Sequence, residues 1–125
     1  MTLQDSLRAH ALSHYPILHI ITHDDAEVDE LIANIDTDRK IIEWNMARGL
    51  VRFDNKCPLM AWCDLAGALD NLLDQELNNH FIVIRDAHMG LRDQPLAVAR
   101  LKALTTKILE SVEMEVTIIG LTQTP

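Results

Sequence analysis

Four short apolar runs, at 17–22, 40–44, 80–86 and 116–121, set the terms on which this chain can fold. Each has the length of a strand, and the stretches around them carry helical spacing. Val28, Leu31, Ile32 and Ile35 recur at i, i+3, i+4 and i+7. Leu65, Leu69, Leu72 and Leu73 form a second stripe, and Ala97, Leu101, Leu104 and Ile108 a third. Strands that alternate with helices need crossover connections, and crossovers build a parallel sheet covered on both faces. The expected fold is therefore α/β: a three-layer α/β/α sandwich around a mostly parallel four-stranded sheet.

At 125 residues the chain supports one domain and one core, residues 1–125. A first helix is expected over 3–13, stopped by Tyr15-Pro16. Asp24 and Glu27 stand in the capping-box arrangement before the next helix. Residues 46–60 read as a loop and 61–78 as a helix. Asp93 is the expected cap of the last helix, with Pro95 in its first turn, where a missing N–H costs little. The last apolar run has no helix after it to cover it, so either a partner covers that edge or the chain is one portion of a longer polypeptide, and the second is the expectation.

The net charge of −8 argues against nucleic acid, whose binding rests on neutralising phosphate. The charge is uneven: residues 39–56 hold five bases and two acids, a basic island of +3 in an acidic chain. Such an island more often marks a protein contact than a groove for nucleic acid. The amino terminus lacks the basic and apolar segments of a secretory signal, and no run reaches membrane-spanning length. Cys57 and Cys63 are too few for a disulfide framework and fit a reducing compartment, so a cytoplasmic location is expected.

Ligands of an open parallel sheet sit beyond the carboxyl ends of its strands. That edge would gather His23, Asp24 and Asp25, then Trp44 and Asn45, then Asp86 and His88, then Thr122 and Gln123. An aspartate ending an apolar strand is how phosphate-handling α/β folds deliver an acid, yet the glycine-rich loop with its lysine is missing. None of the four glycines, Gly49, Gly67, Gly90 and Gly120, precedes a lysine. The first turn carries Asp24, Asp25 and Glu27 instead. Each carboxylate about 5 Å from a phosphate opposes it by roughly 0.8 kcal/mol in water and about 3 at an effective dielectric of 20. Three of them outweigh the half charge of a helix N-terminus. Ala87 stands where an ATPase of this kind places the acid that orients water.

No residue set makes a convincing catalyst. Asp24, Asp86 and His88 could hold a divalent metal in a small phosphohydrolase or nucleotide-binding domain, though Asp24 and Asp25 are also ordinary helix-start residues. A receiver-like reading, with Asp24 and Asp25 as the acidic pair and Asp86 as the phospho-acceptor, wants a lysine after a fifth strand, and no fifth strand is expected. The candidate contact surface is the loop after the second strand, with Arg48, Leu50, Arg52 and Phe53, a mixture enriched at interfaces. The competing reading tucks its apolar side chains back onto the domain.

The run 15–24, then Arg39-Lys-Ile-Ile-Glu-Trp44, then Arg48-Gly49-Leu50, then Phe81-Ile-Val-Ile-Arg-Asp86-Ala-His88, resembles the amino-terminal region of one AAA-ATPase family. That family, first catalogued as a hypothetical chloroplast reading frame, occurs in plastids, cyanobacteria and other bacteria. The resemblance spans about Leu7 to Thr122. It implies a degenerate, AAA-like, P-loop-NTPase-like domain without the phosphate loop, ahead of an intact AAA module. It further implies a sheet order 1-4-3-2, Asp86 in the Walker-B position, Thr122 or Gln123 in the sensor position, and a loop after strand two that corresponds to a pore-lining loop. ATP and magnesium would then belong to the parent ATPase, with no cofactor for this chain. The implied partners are the downstream AAA module, neighbouring subunits or a protein client, and neither nucleic acid nor membrane.

Overall fold

The computed structural model describes residues 17–22, 25–34, 38–111 and 115–123. In chain order the elements are β1 (Ile17–Thr22), α1 (Asp25–Ala33), β2 (Lys40–Asn45), β3 (Gly49–Arg52), α2 (Leu65–Leu73), β4 (His80–Ile84), α3 (Ala87–Leu91), α4 (Pro95–Glu110) and β5 (Val116–Gln123). The helix expected over 3–13 and the cap expected at Asp24 lie outside the described residues.

The sheet runs β1-β5-β4-β2-β3. β1 with β5, β5 with β4, and β4 with β2 are parallel, while β2 and β3 are antiparallel. The sheet is therefore mixed and five-stranded rather than the expected four-stranded one: the strands at 17–22, 116–123, 80–84 and 40–45 lie side by side in that order, and an antiparallel strand, β3, is added beside β2. The added strand lies inside the stretch read as a loop over 46–60. Asn45 Oδ1 accepts from the Arg48 amide at 2.7 Å, which closes the turn after β2. Gly49, at φ +76°, supplies the left-handed residue the turn needs. A connection this short can only return the chain antiparallel to the strand it leaves.

Side chains alternate across each strand, and that alternation separates two cores. Phe81 and Val83 of β4 pack with Val28 and Ile32 of α1 and with Ile119 and Leu121 of β5. Ile82 and Ile84 point the other way, to Trp44, Leu65, Leu69, Leu104 and Ile118. Helices therefore cover the sheet on both faces, α1 on one and α2 with α4 on the other. That is why the strands read as continuous apolar runs.

The helix expected over 61–78 is shorter, Leu65–Leu73. Asp64 starts it, its Oδ1 accepting from the Gly67 amide at 2.8 Å. At its other end, Lys107 Nζ of α4 donates to the carbonyls of Leu73 at 2.7 Å and Gln75 at 2.8 Å, a cation on the negative end of the helix dipole. Arg100 Nη1 donates to Ala66 O at 2.8 Å and ties the two helices again. Pro95 takes the first turn of α4, but the cap position falls to Gln94 without a side-chain bond, and Asp93 sits at φ +53° in the turn before it. No helix among the described residues is long and apolar enough to cross a membrane.

Candidate functional site

Because β1, β5, β4 and β2 are parallel, their carboxyl ends share one edge. Asp86 follows β4 there in the left-handed conformation, φ +51°, at the start of the five-residue helix α3. Its side chain makes no capping bond; its carbonyl accepts from Met89 and Gly90. Ala87 is 4 % exposed and packed among Trp44, Leu65 and Ile84, so the position after the aspartate points into the core. His88 is exposed on α3. Thr122 is half-buried, and its Oγ1 lies 2.7 Å from Nε2 of His19 on the neighbouring strand; Gln123 ends β5. Asp24 lies outside the described residues, and among those described no three metal-binding side chains are grouped. In the sequence no lysine follows β1 before Lys40, and position 87, directly after the aspartate, carries no polar side chain.

The four residues expected to form a contact loop divide sharply. Leu50 is 2 % exposed and belongs to the core under α2, while Phe53 is 9 % exposed and belongs to the core under α1. Neither offers a surface. Both follow from the strand: once 49–52 pairs with β2, its apolar side chains must enter the cores on either side. Arg48 and Arg52 remain exposed. Beside them stand two apolar residues that the expected loop did not single out as a pair, Met46 and Trp62, the latter 57 % exposed. Trp62 Nε1 donates to Met46 O at 3.1 Å, which holds the indole over the β2–β3 turn. At the turn of this hairpin the exposed surface thus includes Met46, Arg48 and Trp62.

A charge cluster that sequence reading missed lies behind the hairpin. Glu43, in the middle of β2, is 1 % exposed. Its carboxylate accepts from Lys56 Nζ at 2.9 Å, Arg85 Nε at 2.8 Å and Asn45 Nδ2 at 2.8 Å. Arg85 also pairs with Asp29 of α1. Burial pushes the Glu43 carboxyl up, but its bonds from Lys56, Asn45 and Arg85 outweigh that and hold it below the usual glutamate range. Burial likewise works against the Arg85 charge, and its two carboxylates raise the pKa above the ordinary value. The sequence does carry a trace of the cluster. Glu43 pairs in register with Val83, so Arg85 falls two residues on, on the same face of the adjacent strand.

No curated protein and no solved structure matches the chain. The family model for the N-terminal domain of SpoVK-like AAA ATPases matches residues 3–125. With that match running over nearly its whole length, the chain belongs to the SpoVK-like AAA ATPase N-terminal domain family.

Proposed function

We propose that this domain is a non-catalytic regulatory or substrate-engaging module of an AAA-family ATPase, working through protein contacts. The observation that carries this reading is the pairing of a family match over residues 3–125 with an edge that lacks the chemistry of hydrolysis. In the sequence, acids at 24, 25 and 27 follow the first strand, and a buried alanine follows Asp86. ATP and magnesium are assigned to an intact AAA module downstream. That module or a neighbouring subunit is the partner, a protein client is the further candidate, and neither nucleic acid nor membrane is. Met46, Arg48 and Trp62 form the contact surface, an aromatic and a methionine beside an arginine. The free thiols of Cys57 and Cys63 support a cytoplasmic setting.

Calorimetric titration with ATP, with and without magnesium, tests the non-catalytic part. The expected outcome is no saturable heat at millimolar nucleotide. Saturable, magnesium-dependent binding that Asp86→Asn removes would overturn it. For the contact part, Trp62→Ala and Arg48→Glu are expected to weaken co-purification with the downstream module; an unchanged yield from both variants would move the surface elsewhere.

A further inference from the structure

At the opposite edge of the sheet, by the amino ends of β2 and β4, lies a cleft of about 660 Å³. Among the described residues, Arg39, Lys40 and Arg52 line it with one acid, Asp54. Three bases to one acid is a sharp local reversal in a chain of net charge −8. We infer that this cleft binds an acidic peptide segment, its carboxylates against Arg39, Lys40 and Arg52 and an apolar side chain against Leu59. The inference is independent of the hairpin surface at the other edge.

Arg39 is held in place before any ligand arrives. Its guanidinium lies 4.8 Å from the centroid of the Phe81 ring, and its Nη1 donates to Thr117 Oγ1 at 2.8 Å. Burial lowers its pKa against the pull of Glu115, so the charge is partly stripped of water. Arg52 is engaged by Asp54 at 3.2 Å, with the two side chains 55 % and 66 % exposed. Such a pair contributes little in water and is readily exchanged for an incoming acid. The apolar part is equally specific. Leu59 is 47 % exposed beside the buried Phe53 and Leu72, an apolar shelf between charges.

The far wall favours a peptide over a compact phosphate. It is the carboxyl-terminal end of α2, Leu72 and Gln75, the negative end of a helix dipole. Lys107, the cation nearest that end, is already bonded to the carbonyls of Leu73 and Gln75. A dense anion would face those carbonyls. Carboxylates spaced along an extended chain reach the sheet wall and avoid them.

The test is fluorescence anisotropy of the 125-residue chain with a fluorescein-labelled glutamate-rich peptide carrying one central leucine, against its glutamine-for-glutamate counterpart. The expected result is saturable, salt-sensitive binding of the glutamate peptide, about tenfold tighter than the glutamine one. Lys40→Glu with Arg52→Glu should remove it, and Leu59→Asp should weaken it. Arg92→Glu with Lys102→Glu makes the same charge change at exposed sites outside the cleft and should leave it intact. No saturable binding, equal affinity for both peptides, or equal loss from the outside pair would overturn the proposal. So would displacement of the peptide by ATP or by a single-stranded oligonucleotide at matched charge.

Discussion

Glu43 stands among isoleucines and a tryptophan, where a carboxylate is costly unless charge and hydrogen bonds meet it. Lys56, Arg85 and Asn45 meet it. Removing one partner of such a buried pair strands the others, so Glu43→Ala is expected to cost about 3–5 kcal/mol of unfolding free energy by urea titration. The pH dependence follows from the depressed pKa of Glu43. A group held below its unfolded value contributes stability that is present above that value, about 4.3 for glutamate, and is lost as pH falls through the folded one. The gap in stability between the native chain and Glu43→Gln should therefore narrow as pH drops below about 4. A gap that stays constant to pH 3 would show that the charge of Glu43 is not what stabilises the fold. Little of this cluster is legible residue by residue. Nothing at position 43 says which strand will lie beside it, and Arg85 acquires its meaning only from the β2–β4 register.

Among the elements, those set by long periodic patterns were readable and those set by a few turn residues were not. β1, β2, β4 and β5 follow from apolar runs, and α1, α2 and α4 from stripes at helical spacing. β3 is four residues long, too short to show a period, and its existence depends on Asn45 and Gly49 closing a turn. The ends of α2 were missed for a similar reason: one cap at Asp64 outweighs the apolar residues before it. α3 is also short, and what fixes it is space. A Cβ at Gly90 would stand 2.8 Å from Leu65 Cδ2 and 3.2 Å from a ring carbon of Trp44. Gly90→Ala is expected to destabilise the fold by about 1–3 kcal/mol and to shift the emission of the buried Trp44. An unchanged midpoint and spectrum would mean that α3 can slide away from α2.

Over the whole molecule, β4 and β5 belong to both cores at once, since successive residues of each feed opposite faces. Their amides should report global unfolding. In native-state hydrogen exchange, residues 81–84 and 117–121 are expected to be the slowest, with those of the turn at 46–48 exchanging by local opening. Faster exchange in β4 than in β3 would contradict the two-core account.

The hairpin after β2 has a mechanical meaning. Leu50 is seated in one core and Phe53 in the other, and Lys56 lies 4.4 Å from the centroid of the Phe53 ring while its Nζ bonds Glu43. A segment pinned on both sides of a sheet cannot trail after a partner like a tether. It behaves as a lever: force applied at Trp62 or Arg48 reaches the two layers of the domain together, and the domain moves as one piece or not at all.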